Sequence, residues 1–192
     1  AAVQLGYGPV ATVQSRDHVT LRVLSKVVSD FPSGWLEQAL RGQGQGYVYA
    51  VGAGQFTGLV PGYMAVLFNT TPGLAQEALQ RTLAVMHRAT HQPVGDADLA
   101  RAKASVLTDE FLHKQTNSQR ATDAALNELY DLGLDAPERF VQQVRELTKE
   151  ELHDVARTYL KNPVVVILTH EPLPEDQLDV LMQSAGVTPV EQ

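Results

Sequence analysis

The chain has 192 residues, a formal charge of -7 spread along its length, 44% hydrophobic and 19% charged side chains, and no cysteine. This composition indicates a globular core rather than disorder, and without a basic patch it disfavours a nucleic-acid partner. The missing cysteines exclude disulfides, thiolate metal ligands and a cysteine nucleophile, and the longest apolar runs, such as PVVVIL at 163–168, fall far short of the roughly 20 residues of a membrane span.

The opening AVQLGYG alternates like a strand and stops at Gly8-Pro9. It begins at the first residue, with no initiator methionine and no positively charged leader, so the chain reads as a fragment whose upstream partner is missing. Leu21, Leu24, Val27, Val28 and Phe31 then fall on one helical face behind the caps Ser15 and Asp17. Pro32 interrupts that helix. A short second helix follows in SGWLEQALRG, with Ser33 as cap, Trp35, Leu36, Ala39 and Leu40 inward, and Gly42 as stop. Residues 45–55 and 61–71 are rich in Tyr, Val, Phe and Thr, and predict two antiparallel strands. An amphipathic helix carrying Leu74, Ala78, Leu79, Leu83 and Met86 comes next and ends before Pro93. The stretch 96–133 is helix-forming throughout, with a bend expected at Thr116-Asn117-Ser118, whose side chains compete for backbone hydrogen bonds. Helices at 137–147 and 148–160 follow, the second opened by the capping box Thr148 to Glu151. NPVVVILTHE reads as a strand buried on both faces. This order predicts one α+β domain over 1–171, a mostly antiparallel sheet with helices packed on one face, and a tail at 172–192 with a short helix at 175–184.

The chemistry is sparse. His87 and His91 stand at i and i+4, but no glutamate lies between them and neither H-E-x-x-H nor H-x-x-E-H occurs. The pair reads as a solvated last turn, and His113, His153 and His170 as structural or exposed, so no metal site is expected. There is no G-x-S-x-G, S-x-x-K or P-loop, and the glycines at 42–54 lie between a helix and strands, the reverse of a dinucleotide fingerprint. Asn69-Thr70-Thr71 matches a glycosylation acceptor, a pattern short enough to arise by chance. Asp109-Glu110 and Glu150-Glu151 read as solvated surface. The remaining cluster is LRGQGQGYVYAV at 40–51, with Arg41, Tyr47 and Tyr49. Its plain reading puts both tyrosines on one strand face over a helix and Arg41 at a helix end that favours a cation.

The ordered set of VQLGYG, the Asp17-Leu21-Val23-Leu24 helix, Leu40-Arg41, Gly46 to Tyr49, LARAKASVLTDEF and LTKEELHDVARTYLKNPVVVIL resembles the pitrilysin/insulinase family of zinc metallopeptidases, which includes the mitochondrial processing peptidase. The resemblance spans nearly the whole chain. It implies the LuxS/processing-peptidase-like fold and the C-terminal type of domain, which lacks the zinc motif and faces a zinc-bearing homologous domain or subunit across a chamber. Under it, Arg41 and Tyr49 or Tyr47 would contact the backbone of a peptide substrate, this chain would contain no catalytic residue, and zinc would belong to the partner. The loop is one residue longer than the family's L-R-x-x-x-G-x-x-Y, which leaves the choice of tyrosine open. The expected function is a substrate-binding, chamber-forming domain of a metalloendopeptidase, paired as in a dimer, from bacterial cytoplasm or periplasm. The alternative is a structural or assembly homologue that keeps only the fold.

Overall fold

The computed structural model describes residues 1–44 and 46–170; the helix expected at 175–184 lies outside them. Four strands form one antiparallel sheet in the order β2-β3-β1-β4, from β1 (Ala2–Tyr7), β2 (Ala50–Phe56), β3 (Tyr63–Asn69) and β4 (Val164–Leu168). The helices are α1 (Arg16–Val28), α2 (Trp35–Arg41), α3 (Ala75–His91), α4 (Asp96–His113), α5 (Asn117–Leu129), α6 (Ala136–Glu146) and α7 (Lys149–Tyr159). The fold is α+β, as expected.

Period-two alternation sets the two faces of the sheet. Val3, Leu5 and Tyr7 of β1 and Met64, Val66 and Phe68 of β3 point into the core. The helical layer covers them, with α1 at its centre against α4, α7 and β2. Leu21, Leu24, Val27 and Val28 of α1 are buried, and Ser25 turns its hydroxyl onto Leu21 O at 2.9 Å, so this buried polar group is satisfied within its own helix. Ser15 caps α1 by accepting from Asp17 N. Tyr159 of α7 donates to Asp17 Oδ2 at 2.8 Å and fastens the helix start to the far end of the chain. Thr116 and Thr148 both make full capping boxes, with Gln119 and Glu151, and the first of these accounts for the bend between α4 and α5.

Three local expectations are corrected. Among the described residues β4 is an edge strand: Val164, Val166 and Leu168 are exposed, while Val165 and Ile167 pack against the core, so an all-apolar run here covers one face only. Gly34, not Ser33, is the N-cap of α2. The position has room only for a glycine, because a Cβ on Gly34 would lie 2.3 Å from Asp30 N. Finally, Glu110 is not a solvated carboxylate: its side chain is 14% exposed and is held by Arg22 and Lys114.

Candidate functional site

Leu40, fully buried, anchors the end of α2, and Arg41 follows in the last turn, where a cation complements the helix dipole. Its guanidinium donates to Glu37 Oε2 at 3.1 Å and lies 5.6 Å from the centroid of the exposed Phe31 ring. Beyond it the chain makes a 3-10 turn over Gly42–Gly44. Gly44 takes φ +77°, a left-handed conformation that favours glycine. The loop then closes on itself, since Tyr47 N donates to Leu40 O at 3.1 Å.

The two tyrosines differ in environment, and neither lies within β2, which corrects the expectation of one shared strand face. Tyr47 is half-buried: its hydroxyl accepts from Arg81 Nη2 at 2.9 Å, and the Arg81 guanidinium stacks 4.3 Å from its ring centroid. Its carbonyl accepts from Thr70 Oγ1 at 2.6 Å. A hydrogen bond to Glu77, with some desolvation, pushes the Tyr47 phenol up, and the bonds from Arg81 and then Tyr47 hold the Glu77 carboxyl below its usual range. Tyr49 by contrast extends the β2–β3 ladder with its backbone, N to Asn69 O at 3.2 Å, and leaves its side chain 89% exposed. Among the described residues no hydrogen bond joins Arg41 to either tyrosine. Glu37, Glu77 and Arg81 were not singled out from the sequence, although Glu37–Arg41 and Glu77–Arg81 both carry the i,i+4 acid-to-base spacing that would have flagged them.

The outer face of the sheet carries no helix among the described residues. The register lines up Gly52, Leu67, Gln4 and Val166 in one row and Gly54, Ala65, Gly6 and Val164 in the next. Phe56 stacks on Tyr63 at 4.8 Å beside them. Small and apolar side chains therefore make most of this face, with Gln4 and Asn69 as its polar members.

His87 and His91 are exposed and stack at 3.7 Å. Among the described residues no group of three His, Cys, Asp or Glu side chains could hold a metal ion. No described helix is long and apolar enough to cross a membrane.

A family model for the peptidase M16 inactive domain matches residues 1–106. The chain belongs to that family. The fold of this M16 inactive domain is also that of solved bacterial structures. It is similar to the inactive peptidase domain of a Bordetella parapertussis protein assigned as a zinc protease, with a TM-score of 0.75 and 19% identity over 91% of this chain and 95% of that one. A peptidase M16 inactive-domain structure from Pseudomonas fluorescens aligns with a TM-score of 0.77 at 16% identity, over 89% of this chain and 42% of the other. The periplasmic protease PqqL from Escherichia coli aligns with a TM-score of 0.66 at 16% identity, over 88% of this chain and 19% of its own. The M16 chain thus spans less than half of the Pseudomonas and Escherichia structures. No curated protein matches it.

Proposed function

We propose that this M16 inactive domain forms the zinc-free half of a peptide-binding chamber in a metalloendopeptidase, working with a homologous zinc-bearing domain or subunit. The observation that carries the reading is the exposed Tyr49 phenol at the start of edge strand β2. An extended peptide would add along such an edge through backbone hydrogen bonds. Tyr49 takes the substrate-contacting role in this reading because the Tyr47 hydroxyl is already engaged by Arg81 and Glu77. A phenolic donor and a permanently charged guanidinium stabilise charge developing on a scissile carbonyl, an effect worth roughly 3 kcal/mol per well-placed donor. Zinc in the partner domain would supply the Lewis-acid chemistry of hydrolysis.

The test is reconstitution of this chain with a zinc-bearing partner domain, followed by peptide cleavage. Tyr49→Phe is expected to lower kcat/KM by at least about 10-fold with the complex intact. Unchanged turnover in Tyr49→Phe and in Arg41→Ala would remove the assigned roles. One observation favours the structural alternative: Arg41 is committed to a buried carboxylate on its own helix. Under that alternative the chain assembles with its partner and the complex cleaves no peptide.

A further inference from the structure

The last turn of α3 carries two histidines. The buried residues Thr82, Val85, Met86 and Ala89 hold one side of the helix to the core and leave His87 and His91 exposed, four residues apart. Their rings stack with centroids 3.7 Å apart and planes 11° from parallel. Two ring nitrogens bound to one metal ion at about 2.0–2.1 Å each stand roughly 3 Å apart. The pair therefore already lies within the span of a single ion, and a turn of the exposed rings about their Cβ–Cγ bonds aims both at it.

The hydrogen bonds around His91 decide which of its nitrogens is free. Thr90 Oγ1 donates its one proton to His87 O at 2.9 Å, so the hydroxyl oxygen can only accept in its contact with His91 Nδ1 at 2.8 Å. Nδ1 also lies 3.0 Å from His87 O, a carbonyl that can only accept. Both neighbours require the proton on Nδ1, and the neutral ring keeps its lone pair on Nε2. A backbone carbonyl that holds the other ring N–H is also the support that orients an imidazole ligand and raises its basicity. His153 of α7 meets the same turn but spends its Nε2 proton on Thr90 O at 3.1 Å.

We propose that His87 and His91 chelate one borderline-soft divalent transition-metal ion, of the class of Cu²⁺ and Zn²⁺, through Nε2 of His91 and a ring nitrogen of His87, with water in the remaining positions. Imidazole suits these ions, whereas Mg²⁺ and Ca²⁺ require oxygen ligands. On sequence the pair is set aside for want of a third ligand, which a closed site needs and an open one does not. Among the described residues no group of three His, Cys, Asp or Glu forms here, so the site binds without a carboxylate base. It is independent of the chamber reading, since neither Arg41 nor Tyr49 takes part.

The experiment is an NMR titration of the ¹⁵N-labelled chain with Zn²⁺ and with Mg²⁺ at pH 7.5, read at the imidazole nitrogens, followed by competition with Cu²⁺. Before metal is added, the His91 ring should show the Nδ1–H form. Zn²⁺ should then give saturable shifts at the His87 and His91 rings, with Kd of about 100 μM or tighter. Cu²⁺ should displace it and Mg²⁺ should leave both rings unchanged. His87→Gln and His91→Gln should each weaken Zn²⁺ binding by about 10-fold or more at unchanged Tm, while His153→Gln retains it. An Nε2–H form at His91, no saturation below about 1 mM Zn²⁺, equal binding by His91→Gln, or shifts centred on the other histidines overturns the proposal.

Discussion

Arg41 Nη1 sits 3.1 Å from Glu37 Oε2, one helical turn earlier, and covers a carboxylate whose side chain is only 7% exposed. Removing the guanidinium leaves that charge buried and unpaired. Because Arg41 itself is partly solvated, Arg41→Ala is expected to cost about 2 kcal/mol, less than a fully buried pair would. The double variant Arg41→Ala/Glu37→Gln should recover most of the loss in urea denaturation. A single-variant cost no larger than that of the double variant would show that the pair does not stabilise α2. The same double variant is the proper control for cleavage assays, because it removes the cation without stranding its partner.

The two tyrosines should separate in stability. Tyr47→Phe removes the hydroxyl that accepts from Arg81 and is expected to lower the Tm. Tyr49→Ala, at a side chain exposed to solvent, should stay within about 0.5 kcal/mol of the parent. Thermal melts that rank the two in the opposite order would contradict the assigned environments.

His18 makes stability depend on pH. Burial, with a smaller contribution from Arg22, lowers its pKa from 6.5 to about 4, and its Nδ1 lies 3.0 Å from Gln55 Nε2 and 3.1 Å from Thr57 Oγ1. The unfolded chain therefore takes up this proton at higher pH than the folded one. Stability is fully present above about pH 6.5 and is lost progressively as pH falls towards 4. Between pH 7 and 4.5 the loss from this group is about 2.5 kcal/mol. His18→Gln should remove that part of the slope in urea titrations, and an unchanged slope would refute the assignment.

Two glycines in the β2–β3 region should respond oppositely to alanine. A Cβ at Gly62 would lie 1.7 Å from Phe56 O, and Gly62 O also receives Val10 N at 2.9 Å, so the turn has no room to move. Gly62→Ala is expected to destabilise by more than about 3 kcal/mol. Gly52 points into open space on the outer face, and Gly52→Ala should stabilise β2 by about 0.5 kcal/mol. Equal Tm shifts would show that the crowding at Gly62 is relieved elsewhere.

Much of the fold was legible because its signals are local. The Ser15 cap, the Thr148 capping box, the stripe of α1 and the strand alternation in β1 each involve residues within one or two turns of one another. What failed locally failed for want of neighbours. Nothing in VVVIL says that β4 lies at an edge, since that depends on β1 pairing with β3 on its other side. Nothing in SGW says that Asp30 closes the space at Gly34. His18 was not singled out, because its burial arises from Gln55 and Thr57, distant in sequence.

By itself the sequence determined the element order, the α+β class, the absence of the zinc-binding motifs sought, and the segment holding Arg41, Tyr47 and Tyr49. Tertiary structure decided what those residues touch. Arg81, on a helix that follows the hairpin, engages Tyr47 and leaves Tyr49 exposed, while Glu37 claims Arg41. The physical reason is that helical and strand periodicities are properties of the chain alone, whereas burial and charge compensation depend on which distant side chains the fold brings together.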